Sequence, residues 1–166
     1  MSVLHWTLAL VVLQRLLELV YAGHNTARLR QQGAVEADAG GYPLFILLHA
    51  GWLSSLAIFV PAAAAPNWYL IGLYGLLQLG RIWVIRSLGG YWTTRLVNLP
   101  DAPLVRTGPF RYIRHPNYLL VAAEVAVLPL AFGAAAIAAI FSALNLLLIA
   151  RRVRIEDRIL APRRAL

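Results

Sequence analysis

The first half of the chain contains three apolar runs that are long enough to cross a membrane. Residues 3–22 are interrupted near the middle by two charged side chains, residues 43–60 include one histidine, and residues 68–86 include one glutamine and two arginines. A helix of 18 residues is about 27 Å long, close to the hydrocarbon thickness of about 30 Å. The pattern therefore predicts three spanning helices, over residues 3–22, 43–60 and 68–86.

A fourth apolar run, residues 119–150, is too long for one span. Pro129 and Gly133 lie near its middle, where they favour a bend between two helices. We expect a helical hairpin whose first helix is short, tilted or re-entrant. The whole pattern predicts an all-α, polytopic membrane protein with about five transmembrane helices, formed by a single domain over residues 1–166.

The amino-acid composition also bears on the class of protein and on the partners it can bind. The chain is 60% apolar and 13% charged, and its mean hydropathy is +0.67. These values argue against a water-soluble enzyme core. All 15 basic residues are arginine, there is no cysteine, and the four histidines have no short metal-ligand spacing. We therefore expect contact with membrane lipids rather than nucleic acid, and no metal site.

The arginines also predict an orientation. Thirteen of the 15 lie in three segments: the one after the first helix, the one that begins with Arg86 at the end of the third helix, and the C-terminal tail. Cytoplasmic loops of membrane proteins collect basic residues. We expect an integral plasma (inner) membrane protein with its N-terminus outside and its C-terminus and long loop in the cytoplasm.

The long loop, residues 89–117, is unlike an ordinary linker. Aromatic residues interleave with arginines, and Gly108-Pro109 and His115-Pro116 mark turns. Pro116 suits the first turn of the next helix, where it leaves helix-terminal N–H groups facing the loop. The segment predicts an interfacial cap over a ligand pocket. The alternative is an aromatic belt whose arginines extend to lipid headgroups.

Two motifs resemble a known family. The run LVRTGPFRYIRHPNY, residues 104–118, is followed after the hairpin by the acidic pair Glu156-Asp157 in RIEDRIL. Together they resemble the isoprenylcysteine carboxyl methyltransferase superfamily of integral membrane methyltransferases, over roughly residues 91–160. The helix-one region, with RLLEL, HNTARL and QGAVEADAGGYP, is similar to a bacterial branch that methylates hydroxyl groups of alkylpyrones and alkylresorcinols.

The resemblance implies S-adenosylmethionine as cofactor, bound at the cytoplasmic face within residues 91–160. The implied cofactor ligands are Val105, Gly108, Pro109, Tyr112, Arg114, His115, Pro116, Tyr118, Glu156 and Asp157. Asp157 departs from the second glutamate of the family pattern, which makes Glu156 the stronger candidate. Without the upstream motif, the tail would be interpreted as an exposed amphipathic helix with ion pairs between Arg152 and Glu156 and between Arg154 and Asp157.

Ionisable and polar groups inside spans are costly and often functional. Arg15 and Glu18 are three residues apart and either neutralise each other or contact substrate. Glu124 has no partner nearby in sequence, and the hairpin is expected to bring it close to Asn145. We hypothesise that Glu124 orients or deprotonates the acceptor, with Arg95 as a second catalytic residue. The predicted substrate-binding residues are Arg15, Glu18, Arg81, Trp92 and Asn145.

These features together favour a methyltransferase acting on a lipophilic small-molecule acceptor that enters sideways between helices. The acceptor oxygen would be the phenol or enol of an alkylpyrone or alkylresorcinol, or a prenyl-cysteine carboxylate. Three alternatives remain on the sequence alone: a phospholipid N-methyltransferase, a sterol-reductase-like membrane enzyme that uses NADPH, and a non-enzymatic membrane scaffold.

Overall fold

The computed structural model describes residues 2–100 and 102–164 and contains, within them, five α-helices in chain order. They are α1 (Val3–Gln31), α2 (Tyr42–Phe59), α3 (Trp68–Leu88), α4 (Pro116–Ala131) and α5 (Ala135–Arg164). The predicted five-helix membrane fold with a terminal hairpin is confirmed. Two helices are longer than the sequence pattern indicated, since α1 continues past residue 22 to Gln31 and α5 continues through the arginine-rich tail.

Local sequence signals set the helix ends. The Ser2 side chain caps α1, and the Asn67 side chain accepts from the N–H groups of Tyr69 and Leu70 at 3.1 and 3.3 Å at the start of α3. Gly133 adopts a φ of 73° between α4 and α5. That left-handed conformation favours glycine, so Gly133 closes the hairpin turn that the sequence predicted.

Four of the described helices, α1, α2, α3 and α5, are long and apolar enough to cross a membrane. Helix α4 has 16 residues and is about 24 Å long, which is shorter than the hydrocarbon layer. This length agrees with the expectation that the first hairpin helix is short. Large apolar side chains such as Leu10, Leu17 and Val20 are exposed on α1, as expected for a surface that contacts lipid.

Helix α4 lies between α3 and α5 and packs against both. Its residues Val125 and Leu128 are fully buried and join a cluster with Leu8 of α1 and with Trp52 and Leu56 of α2. Helix α4 is therefore held by packing on several sides. This matters for the site, because the predicted cofactor motif ends at the beginning of α4.

A two-stranded antiparallel sheet was not predicted. Strand β1 (Val35–Glu36) pairs with β2 (Val97–Asn98), so the loop after α1 is joined to the long loop after α3. Strands of two residues are too short to show an alternating pattern, which is why the sequence indicated only a polar loop. Glu36 strengthens the junction by accepting from Arg30 at 2.5 Å and from Arg95 at 2.8 Å.

The same loop is also attached to α5. Both Nη atoms of Arg151 donate to the two carboxylate oxygens of Asp38, each at 2.8 Å. Such a two-point pair fixes orientation as well as distance. On the other side, the Asn25 amide of α1 donates to the carbonyls of Gly89 and Trp92 at 3.2 and 3.0 Å. These contacts assemble a cap over one end of the helices.

Candidate active site

A cavity of about 470 Å³ lies beneath this cap, which is a usual size for a small-molecule site. It is bounded by α1, α2 and α3, by the loop around residues 91–97, by the start of α4 and by the cap end of α5. Ten of the residues predicted from sequence line it: Arg15, Glu18, Arg81, Trp92, Arg95, Arg114, His115, Pro116, Tyr118 and Glu156. Residues that the sequence assigned separately to cofactor and to substrate thus border one space.

A cluster of four polar side chains lies at the cap end of the cavity, and three of them, His115, Tyr118 and Glu156, line its wall. The Tyr118 hydroxyl donates to the Glu156 carboxylate, and the His115 imidazole lies 3.7 Å from Glu156 through Nδ1 and 3.0 Å from Asp157 through Nε2. The rings of His115 and Tyr118 stack, with centroids 5.5 Å apart. Because α4 and α5 pack side by side, residues far apart in sequence meet at this point.

The cluster changes the ionisation of His115. Hydrogen bonding to Glu156, with smaller contributions from the charges of Glu156 and Asp157, raises the pKa of His115 above its ordinary value, although burial opposes the shift. A carboxylate pair facing the ring favours the imidazolium. The site therefore favours the imidazolium cation of His115, which lies between two carboxylates at the beginning of α4.

We expect this cation to make stability depend on pH. Because the folded pKa is the higher one, the stabilisation is fully present below the unfolded-state pKa of about 6.5 and is lost as pH rises through the raised value. Thermal unfolding in detergent from pH 6 to 9 should show a falling midpoint for the native chain and a flatter profile for His115→Asn. If the unfolding midpoints of the two proteins changed with pH in parallel, His115 would not be the source of the pH dependence.

Arg152 is a cavity residue that the sequence interpretation did not place there. Its guanidinium lies 5.2 Å from the Phe45 ring centroid and 6.0 Å from that of Tyr118, and its Nη2 donates to the Thr94 carbonyl at 2.8 Å. The spacing of four from Glu156 suggested an exposed ion pair. Instead, Arg152 is turned towards aromatic rings and brings a positive charge to the cavity wall.

Several polar atoms at the cavity are buried without a hydrogen-bond partner among the described residues. They are Arg15 Nε, Trp92 Nε1, Asn117 Oδ1 and Arg152 Nε, and each belongs to a residue that lines the cavity. Buried polar groups are nearly always paired in native proteins. Three unpaired donors and one unpaired acceptor around one space are the pattern expected of a binding site for a polar ligand.

Deeper between the helices lies a network of charges. Glu124 of α4 is fully buried and accepts from Arg81 Nε at 2.8 Å, from Arg81 Nη2, from Arg15 Nη2 at 2.5 Å and from Gln78 at 3.1 Å. Glu18 accepts from Arg15 at 3.1 Å and from Arg81 at 3.3 Å. Two arginines and two glutamates balance in charge, which makes burial within a membrane tolerable.

This arrangement bears directly on the hypothesis about Glu124. Both of its carboxylate oxygens are occupied by arginines, and the residue is not part of the cavity wall, whereas Arg15, Glu18 and Arg81 are. A carboxylate held by two cations is a weak base. The geometry therefore favours Glu124 as the residue that positions the two arginines, rather than one that deprotonates the acceptor.

The expected contact between Glu124 and Asn145 does not form. Asn145 is fully buried, but both amide atoms lack a hydrogen-bond partner among the described residues, and Asn145 does not line the cavity. The physical reason is that arginines from α1 and α3 supply stronger, charged donors to Glu124 than an amide can. The sequence could not indicate this, because the partners are remote in the chain.

Some predicted cofactor ligands lie outside the cavity wall. These are Val105, Gly108, Pro109, Tyr112 and Asp157. Gly108 has a φ of 58°, and a Cβ there would lie 2.1 Å from the Ser87 hydroxyl oxygen, so this glycine permits a close approach of the loop to α3. Tyr112 is 75% exposed. Asp157 lies on α5, and the other four residues belong to the loop that leads to Arg114 and His115.

Two comparisons with known proteins find relatives of this chain. The model of the isoprenylcysteine carboxyl methyltransferase (ICMT) family matches residues 70–162, which span most of α3, the long loop and the hairpin. The uncharacterized protein YpbQ of Bacillus subtilis (strain 168) is 33% identical over 160 residues, covering 93% of this chain and 95% of that protein. No solved structure gives a significant match.

Proposed function

The chain belongs to the isoprenylcysteine carboxyl methyltransferase family of membrane methyltransferases, and from this premise we propose that it methylates an oxygen of a lipophilic acceptor with S-adenosylmethionine. One observation carries the proposal. A single cavity joins a polar, charged end at His115, Tyr118 and Glu156 to apolar side chains of α1 and α2 such as Leu16 and Ile46. A polar cofactor and a lipophilic acceptor need a cavity that has both polar and apolar surfaces.

The polar end has the donors and acceptors that this cofactor requires. Arg114 and the unpaired Nε of Arg152 suit a carboxylate, Glu156 suits an ammonium group or ribose hydroxyls, and the unpaired Asn117 Oδ1 suits an N–H donor. The aromatic faces of Trp92 and Tyr118 suit adenine or a sulfonium. When bound, S-adenosylmethionine supplies an electrophilic methyl group.

The remaining residues of the motif have supporting roles in this proposal. Asp157 accepts from His115 at 3.0 Å and thereby fixes the ring that faces Glu156. Gly108 and Pro109 form the turn that directs the chain towards Arg114. They hold the binding residues in place instead of contacting the cofactor themselves. Supporting residues of this kind are common in preorganised sites.

The acceptor is proposed to enter from the lipid side between α1 and α2. Leu16 of α1 and Ile46 of α2 line the cavity although they are 54% and 48% exposed, so the cavity reaches the lipid-facing surface at this position. Arg15, Arg81 and Arg95 lie on the walls further in. An acceptor with its apolar tail in the membrane would thus present its oxygen to positive charge, while the helices exclude water.

The arginine distribution supports an orientation with the cap and the cavity's polar end in the cytoplasm. Arg28, Arg95 and Arg151 all make contacts within the cap, with Gly90, Glu36 and Asp38 respectively. Basic residues at one end of a membrane protein mark the cytoplasmic side. S-adenosylmethionine, a charged and water-soluble molecule, would then reach the site from the cytoplasm.

The proposal is tested by methyl transfer in lipid nanodiscs. The purified chain is incubated with methyl-tritiated S-adenosylmethionine and, separately, with a long-chain alkylresorcinol, farnesyl-cysteine or phosphatidylethanolamine. We expect label in the organic phase with the resorcinol or farnesyl-cysteine, in a product with a methyl ether or methyl ester. Label found only in phosphatidylethanolamine would replace the proposal with N-methylation, and transfer to none of the three would overturn it.

A further inference from the structure

A histidine on α2 lines the cavity but belongs to none of the motifs discussed above. His49 lies seven residues after the first residue of α2, about 10 Å along the helix, and borders the same space as Arg15, Arg81 and Glu156. It lies outside the residues that the family model matches, 70–162. The family comparison therefore assigns it no role.

The hydrogen bonding of His49 defines which ring nitrogen is free. Nδ1 lies 2.8 Å from the Phe45 carbonyl oxygen. A carbonyl oxygen can only accept, so Nδ1 carries the hydrogen and Nε2 of the neutral ring has an available lone pair. Nε2 has no hydrogen-bond partner among the described residues. His49 is thus held in the tautomer that can accept a proton through Nε2.

The other ionisable bases of the cavity wall are already occupied. Glu18 accepts from two arginines, and Glu156 accepts from Tyr118 and faces His115. His115 is itself engaged by Asp157 at 3.0 Å. Among the described imidazoles and carboxylates that line the cavity, His49 is the one that makes no hydrogen bond or ion pair with another side chain.

The surroundings of His49 suit this task. Arg15 of α1 and Arg81 of α3 line the same cavity as His49, and both are paired with Glu124 of α4. The two arginines stabilise an oxyanion that forms beside His49. Because the glutamates of the network balance the arginines, the imidazolium formed later does not face a net positive charge.

We propose that His49 is the general base of the reaction and that the acceptor is a hydroxyl of the phenol or enol class. The inference rests on the proposed methyltransferase function. The acceptor O–H bond breaks as its proton moves to Nε2 of His49, the oxygen–methyl bond forms, and the carbon–sulfur bond breaks with its electron pair left on sulfur. A carboxylate acceptor has no proton to remove and would leave His49 without a role.

The test compares His49→Gln and His49→Asn with the native chain in nanodiscs, with 5-pentadecylresorcinol as acceptor. The control is His24→Gln, on an exposed position of α1. General base catalysis is worth about 100- to 10,000-fold, so at pH 7 both His49 variants should lose at least about 100-fold in turnover. Their affinity for S-adenosylmethionine should stay within about twofold, and His24→Gln should retain native turnover.

The pH profile separates a lost base from a disturbed fold. A phenolic hydroxyl has a pKa of about 10, so the ionised fraction rises about tenfold per pH unit and can replace the base. Turnover of the His49 variants should therefore approach the native value between pH 7 and 9. Turnover within threefold of native at pH 7, a loss that pH does not relieve, or a native chain that methylates farnesyl-cysteine but not the resorcinol would overturn the inference. Transfer to neither, without cofactor binding, would overturn the proposed function itself.

Discussion

Glu124→Gln is expected to cost about 3–5 kcal/mol of unfolding free energy, the range for removing one partner of a buried ion pair. Arg81 is 2% exposed and makes two hydrogen bonds to the Glu124 carboxylate, and Arg15 makes a third. The substitution would leave Arg81 buried with only Glu18 to balance two arginines. Thermal and denaturant unfolding in detergent measure the loss.

Two further variants test whether the loss of stability comes from breaking the buried ion pair. Glu36→Gln removes a carboxylate whose arginine partners, Arg30 and Arg95, are substantially exposed, and it should cost only about 0–1 kcal/mol. Replacing Arg81 together with Glu124 by glutamine should cost less than the sum of the single changes, since the pair acts as a unit. A Glu124→Gln protein of native stability but without turnover would instead support the hypothesis that Glu124 is the base.

The sequence predicted the helices, but it could not predict which side chains contact Glu124. Apolar runs and the Pro129–Gly133 bend predicted the helices, because hydropathy and helix length are local properties. The partners of Glu124 could not be predicted in the same way. Arg81 and Arg15 are 43 and 109 residues away in the chain, and only packing of α1 and α3 against α4 brings them together.

In the candidate site, too, some residues could be predicted from the sequence and others could not. The motif around His115 and Glu156 carried a family resemblance, and the structure places both residues on one cavity wall. His49 and Arg152 carry no motif, so their presence at the cavity depends on how α2 packs against α5. The two-residue strands that join the cap could not be predicted from the sequence either, since each is too short for a periodic pattern.

Glu156→Gln is expected to weaken S-adenosylmethionine binding by about 10- to 100-fold, which corresponds to the loss of a charged hydrogen bond worth about 1.5–3 kcal/mol. Glu156 lines the cavity between Tyr118 and His115, where it is the acceptor proposed for the cofactor's ammonium or ribose. Glutamine keeps the size of the side chain and removes the charge. Calorimetric titration of the detergent-purified variant measures the change.

Asp157→Asn provides the matched control for this variant. The neighbouring carboxylate contacts His115 but does not line the cavity, so its loss should reduce affinity by less than about fivefold, through a looser His115 rather than a lost ligand contact. An Asp157→Asn protein that loses more affinity than Glu156→Gln would contradict the assignment of the two carboxylates.

Calorimetric titration of the native, detergent-purified chain with S-adenosylmethionine and, separately, with NADPH distinguishes a methyltransferase from a reductase. We expect saturable binding of S-adenosylmethionine at about one molecule per chain and no saturable binding of NADPH. Saturable binding of NADPH alone would contradict this expectation in favour of a membrane reductase. Binding of neither would contradict it in favour of a membrane scaffold without a cofactor.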